Sequence, residues 1–207
     1  MKLNAGELRD IDEDEIKEKL KHIKRRPIYF ILDNIYDTYN IGGLFRLADA
    51  LAIEKIYICG ESEIPPNSRI KKASIGTYKV VPWEYCKTAE EAIRRICITY
   101  NVKRITNKKD TLHATRSTLH ILAVEQSKDS IPYVKADYSF PLALIFGNET
   151  SGVSEETLKL CDKIVEIPMW GINKSLNVIV SAAIVSYHIV NRLWLNFIQF
   201  QKKFIGF

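Results

Sequence analysis

Asn173, Lys174, Ser175 and Asn177 crowd the entrance to Val178-Ile179-Val180-Ser181-Ala182-Ala183-Ile184, a run that reads as a buried helix. Hydrogen-bonding side chains at a helix N-terminus, where backbone N–H groups lack partners and the dipole is positive, suit an electron-rich ligand. Directly upstream, Ile164-Val165-Glu166-Ile167-Pro168 reads as a short strand stopped by a proline. Strand, sharp turn, polar loop and buried helix together describe a small-molecule site at the C-terminal edge of an α/β sheet.

Two further segments carry candidate chemistry. In Ile145-Phe146-Gly147-Asn148-Glu149-Thr150-Ser151-Gly152-Val153 a strand ends at a glycine and then offers an amide and a carboxylate. Gly147 permits close approach of a backbone, and Gly152 precedes a helix N-terminus; an ordinary strand-to-helix turn reads the same way. Between residues 34 and 46 a polar loop follows a strand, and Arg46 stands among Leu44, Phe45 and Leu47. An Arg buried there needs an anionic partner, either structural or a ligand phosphate, whereas a surface Arg would run past its apolar neighbours to solvent.

Familiar nucleotide loops are absent: there is no G-x-x-x-x-G-K-[ST], and no G-x-G-x-x-G follows the first strand. His22, His113, His120 and His188 share no metal-ligand spacing with one another or with Cys59, Cys86, Cys97 and Cys161, so no metal is expected. The cysteines form no C-x-x-C pair and read as small buried hydrophobes in a reducing compartment.

The elements that would position these groups alternate. One N-terminal helix is predicted over 7–24, strands over 28–32, 55–59, 78–82, 119–124, 142–146 and 164–167, and helices over 42–51, 88–100 and 154–160 before the long final one. At the start of the helix over 88–100, Thr88 and Glu91 suggest a capping box. Short apolar strands alternating with helices argue for an α/β fold, a mostly parallel sheet with helices on both faces. The expected division is a short N-terminal helical extension, 1–25, and one catalytic domain, 26–207.

The 207 residues carry 30 Lys and Arg against 25 Asp and Glu, a net +5. Basic residues gather over 17–26, at Arg69, Lys71, Lys72 and Lys79, and over 103–116 (Lys103, Arg104, Lys108, Lys109 and Arg116). A solvated helix face explains any one of these groups equally well, but three together favour an anionic polymer, with Arg69, Lys71 and Lys72 the residues assigned to hold it. The stretch 101–117 reads as a basic insertion. No apolar run is long enough to span a bilayer, and residues 1–14 make no secretory signal, so a cytoplasmic location is expected.

Taken together, the three segments resemble the motifs of SpoU-type (TrmH-like) RNA 2′-O-ribose methyltransferases of the SPOUT superfamily. Asn40-Ile41-Gly42-Gly43-Leu44-Phe45-Arg46 looks like the N-x-G-x-x-x-R end of the first family motif. Phe146-Gly147-Asn148-Glu149-Thr150-Ser151-Gly152 matches F-G-x-E-x-x-G, and Ile167-Pro168-Met169 followed by Ser175-Leu176-Asn177-Val178 resembles I-P-M and S-L-N-V-S-V-A-A-A. The order and gaps are family-like from Ile28 onward. Two departures are Ile179 where the family usually has Ser, and Asn148 where small residues are common.

The resemblance implies a C-terminal trefoil knot and S-adenosyl-L-methionine held by its backbone. Gly147, Ile167, Met169 and Leu176 should then line the cofactor pocket, with Val124 or Glu125 beside them. It further implies that Arg46 activates a ribose 2′-hydroxyl, that Asn40 and Glu149 orient Arg46 or the ribose, and that Ser175 and Asn177 bond the reacting region. The implied partners are a structured RNA (tRNA or rRNA) and a second copy of the chain, meeting through the knot region and the final helix. The aromatic and apolar Tyr187, Ile189, Leu193, Trp194, Phe197, Ile198 and Phe200 of that helix fit a dimer interface. Alternative readings are a SPOUT scaffold that binds RNA without catalysis, and an enzyme methylating a base nitrogen.

Overall fold

Seven strands, all parallel, form one sheet in the order β3-β2-β1-β6-β4-β7-β5 in the computed structural model. They are β1 (Arg26–Asp33), β2 (Ile53–Cys59), β3 (Trp83–Cys86), β4 (His120–Val124), β5 (Ile131–Pro132), β6 (Leu142–Gly147) and β7 (Lys163–Glu166). The structure describes residues 2–102 and 119–205, with side chains to Leu193 (Glu13 excepted). The basic group at Lys103, Arg104, Lys108, Lys109 and Arg116, most of the 101–117 stretch, and the side chains of Trp194, Phe197, Ile198 and Phe200 lie outside the described residues.

Alternation along the central strands builds two apolar layers. Ile28, Phe30 and Leu32 of β1 enter one core with Leu142, Leu144 and Phe146 of β6, while Tyr29 and Ile31 enter the other with Ala143 and Ile145. The first core is covered by α3 (Thr38–Ala50), α4 (Ser68–Ser74) and α7 (Val178–Ile205), through Leu44, Phe45, Ile70, Ala182, Val185 and Ile189. The second lies under α5 (Ala89–Thr99), through Ala92, Ile93 and Ile96. Both faces of the sheet are thus buried, which explains why its strands read as unbroken apolar runs.

Local chemistry moves several expected boundaries. The N-terminal helix is two helices, α1 (Ala5–Asp10) and α2 (Glu13–Leu20). Ile11 turns extended and Asp12 caps the second helix through the N–H groups of Asp14 and Glu15, a break that helical periodicity cannot reveal. Helix α3 begins at Thr38 rather than at residue 42, because Asp37 accepts the Tyr39 N–H at 2.7 Å and starts the helix inside the supposed loop. The strand expected over 78–82 is absent: Thr77–Lys79 is a 3-10 turn, Val80 and Val81 are buried without ladder pairing, and the strand starts at Trp83 after the donor-less Pro82. Thr88 does cap α5, yet Glu91 accepts from Lys87 N–H rather than from the cap residue. A short helix α6 (Glu155–Leu158) follows Ser154, which accepts the Thr157 N–H.

Two of the basic residues assigned to the first cluster are structural. Arg25 donates to the carbonyls of Ile53 and Val80, and Arg26 to that of Leu51. Lys79 likewise donates to the carbonyl of Arg9, tying α1 to the 3-10 turn. All four cysteines are free thiols. His188 packs edge-on between the rings of Tyr133 and Tyr138, and burial lowers its pKa.

Candidate active site

The chain leaves β1 toward β2 on one side, while β6, β4 and β7 fill the other. This reversal opens a crevice at the C-terminal edge of the sheet, the usual ligand position in an open α/β fold. A cavity of about 350 Å³ occupies it, walled by the residues that follow β4, β6 and β7 and by the stretch leading into α7. Val124, Gly147, Ile167, Met169 and Leu176, all assigned to the cofactor, line it together with Glu149 and Ser175.

Its floor is main chain. A Cβ on Gly147 would stand 2.3 Å from the Gly152 carbonyl carbon and 2.3 Å from the Val153 nitrogen. The turn that produces this contact closes on itself: Asn148 N–H bonds Gly152 O at 3.1 Å and Gly152 N–H returns to Asn148 O at 2.9 Å. Gly152 adopts φ +69, a left-handed conformation that favours glycine. Asn148 does more than fill space. Its side-chain oxygen accepts from Thr150 and Ser151 N–H at 2.7 and 3.1 Å, and its amide donates to the Asn34 carbonyl at 2.9 Å.

Glu125 is spent on the same turn. Its carboxylate accepts from Val153 N–H at 2.9 Å and from Gln126 N–H at 2.8 Å, and Gln126 in turn donates to the Lys174 carbonyl at 2.6 Å. These braces were missed from sequence. Asn148 reads in the sequence as an amide open to a ligand and as a departure from the motif, not as a brace, and no spacing rule ties Gln126 to a carbonyl 48 positions away.

The three motif segments meet through one hydrogen-bonded chain. Asn177 donates to the Asn40 side-chain oxygen at 3.0 Å, and Asn40 donates to the Glu149 carboxylate at 2.6 Å. Asn177 also accepts the Ile179 N–H at 2.9 Å, capping α7. Asn40 is only 4% exposed, so both its amide atoms are committed and it can point only one way. The carboxylate of Glu149 remains at the solvent edge of the cavity. Ser175 lies on the opposite lip with its hydroxyl unpaired among the described residues.

Arg46 is placed differently. It is exposed on α3, outside the cavity wall, and has no anionic partner among the described residues, which removes the buried-pair alternative. It lies one turn beyond Gly43, where a Cβ would strike Ile179 Cδ1 at 2.3 Å. The bulk of Ile179, the other departure from the motif, thereby fills the contact between α3 and α7. Arg69, Lys71 and Lys72 are exposed on α4, free of ion pairs among the described residues.

Fold and site define an α/β protein with a preformed, cofactor-sized pocket at a topological switch point. The chain belongs to the SpoU rRNA Methylase family, whose model it matches over residues 27–187. It is 27% identical over 189 residues to the 23S rRNA (guanosine-2′-O-)-methyltransferase RlmB of Haemophilus influenzae, covering 91% of this chain and 68% of that one. With the tRNA (guanosine(18)-2′-O)-methyltransferase of Aquifex aeolicus it shares 26% identity, covering 84% and 71%. It spans only 57% of a Staphylococcus saprophyticus relative described as of the TrmH family of tRNA/rRNA methyltransferases, at 26% identity. Among solved structures, the SpoU methyltransferase AviRb from Streptomyces viridochromogenes superposes with TM-score 0.69 at 23% identity, over 87% of this chain and 63% of AviRb.

Proposed function

We propose that the protein transfers a methyl group from S-adenosyl-L-methionine to a ribose 2′-hydroxyl of a structured RNA, tRNA or rRNA. The observation that carries this reading is the Asn177–Asn40–Glu149 chain, which gathers all three motif segments at the mouth of one cavity. The residues present suit the cofactor. Gly147 lets the turn backbone close up where any side chain would collide, Phe146, Ile167, Met169 and Leu176 offer apolar surface, and Glu149 and Glu166 put carboxylates on the wall facing a sulfonium cation. When bound, S-adenosylmethionine supplies the electrophilic methyl.

The chain's own residues do the rest. A guanidinium acts poorly as a base. The part of Arg46 is to hold an RNA phosphate beside the target and to stabilise the alkoxide as the 2′-hydroxyl passes its proton to solvent and its oxygen takes the methyl. Asn40 fixes the Glu149 carboxylate to receive hydrogen bonds from the ribose, and Ser175 and Asn177 hold the opposite side. Methyl transfer depends on in-line alignment, which this rigid network provides. Arg69, Lys71 and Lys72 contribute phosphate contacts.

The reading extends to a homodimer, with the knotted C-terminal region at its interface. Its support is apolar surface: Val180 and Tyr187, two turns apart on α7, are 45% and 46% exposed, and Trp170 and Ile172 stand almost wholly in solvent. Ile189, counted toward that surface from sequence, is instead fully buried in the monomer core. Residues 26–207 would act as the catalytic domain with 1–25 as its extension, working in the cytoplasm; no described helix is long and apolar enough to cross a membrane.

The test is transfer of labelled methyl from S-adenosylmethionine into separated, unmodified tRNA and rRNA, followed by nucleoside analysis. A 2′-O-methylated nucleoside is expected and names the RNA class. A methylated base would replace the ribose reading, and cofactor binding without incorporation would turn the protein into an RNA-binding scaffold.

A further inference from the structure

A second concavity, about 360 Å³, lies on the same sheet edge over β1 and β2. Its walls are the loop from β1 to α3 and the loop from β2 to α4, and its lining includes Tyr36, Tyr39, Asp37, Glu63, Asn67 and Arg69. Both tyrosines are 53% exposed, a large aromatic area left to water beside a cleft. The Tyr36 hydroxyl reaches Glu61 only at 3.5 Å, and that of Tyr39 has no partner among the described residues. The walls are braced: Asn34 accepts the Glu61 N–H at 3.1 Å through its side chain while its carbonyl accepts from Asn148 of the first cavity at 2.9 Å. Tyr39 adjoins Asn40, which bonds Glu149 on that cavity's lip. The two sites therefore share a continuous, rigid edge.

Charge decides what fits. The Asp37 carboxylate is engaged in capping α3, whereas Glu63 is held only by a 3.4 Å contact from Asn67. Two carboxylates inside the cleft repel a phosphate, while Arg69 at its side and Lys71 and Lys72 further along α4 attract one. A flat ring carrying amino donors, with its phosphate outside, satisfies both conditions.

We propose that this cleft seats one unpaired nucleobase of the RNA substrate next to the nucleotide being methylated. The base stacks on Tyr36 and Tyr39, Glu63 accepts from its exocyclic amino group, and Arg69 takes its phosphate. Adenine, cytosine and guanine fit this pattern; uracil, which has no amino group, does not. The inference rests on the RNA reading above.

The test is fluorescence anisotropy of labelled oligoadenylate and oligouridylate on the full chain with S-adenosylmethionine present, and cofactor binding by calorimetry in parallel. Wild type should prefer oligoadenylate. Replacing both Tyr36 and Tyr39 by Ala should weaken that complex about tenfold or more, as loss of base stacking does. Replacement of both by Phe should retain it, Glu63→Ala should erase the preference over oligouridylate, and cofactor affinity should stay within about twofold in every variant by the same reasoning. Unchanged oligoadenylate binding in the double-Ala protein, or a wild-type preference for uridylate, would overturn the cleft assignment while leaving the methyltransferase reading in place. Cofactor binding with no affinity for either RNA would overturn both.

Discussion

The turn over 147–153 and the loop over 169–177 face each other across the cofactor cavity and are built on opposite principles. In the first, Asn148, Glu125 and two reciprocal backbone hydrogen bonds leave almost no freedom, and two glycines sit where a Cβ would collide within 2.6 Å. In the second, Trp170 and Ile172 are 92% and 103% exposed, a Cβ on Gly171 would meet nothing within 4 Å, and the ties lie toward its end, Gln126 to the Lys174 carbonyl and Asn177 to Asn40. One wall of the pocket is finished when the chain folds. The other leaves apolar surface in solvent, open, under the function proposed above, to cofactor, RNA or a second copy.

The sharpest way to break this comparison lies away from both walls. Arg46→Ala should lower methyl transfer by about a thousandfold or more, the scale of losing a principal charge-stabilising group. S-adenosylmethionine affinity, measured by calorimetry, should be nearly unchanged; a large loss of cofactor binding would refute the role given to Arg46. Gly147→Ala attacks the rigid wall directly. The added methyl should push the turn wall aside, cofactor binding should fall beyond detection, and thermal unfolding should register a loss of about 3 kcal/mol, the upper end of what overpacking usually costs. Asn148→Ala removes the brace but adds no bulk. Several buried backbone groups lose partners, so a loss of about 1–3 kcal/mol is expected in denaturant unfolding, with weaker cofactor binding. Gly171→Ala completes the series from the open wall: stability should shift by no more than about 0.5 kcal/mol. A cost there matching that of Gly147→Ala would remove the distinction between the two walls.

Sequence carried the architecture because a parallel sheet buries both faces of its central strands, and apolar runs such as 28–32 and 142–146 then stand out unaided. It carried the lining of the cavity because glycine at Gly147 and the Ile167-Pro168-Met169 and Ser175-Leu176-Asn177 spacings are local. Errors fell where a single polar side chain overrides periodicity. Asp37 starts α3 four residues early and Asp12 splits the N-terminal helix. Val80 and Val81 have strand-forming side chains, yet the adjacent Pro82 and the turn at Gly76 place them in a buried turn, where both N–H groups bond the Thr77 carbonyl instead of a neighbouring strand. The braces escaped for another reason. Asn148 meets Asn34 across 114 positions and Asn40 meets Glu149 across 109, and no local pattern encodes such encounters.

The hydrogen bond between Asn40 and Asn177 spans 137 positions and joins the first motif to the entrance of the last helix. On the ribosome, then, the catalytic network cannot exist until nearly the whole described chain has emerged. Strand β6 must also slip between β1 and a β4 that is made before it. Such non-local pairing is slow, because loop closure is opposed by chain entropy before any contact rewards it. The network on which the proposed function relies is thus completed late, and a chain ending before Asn177 would lack it.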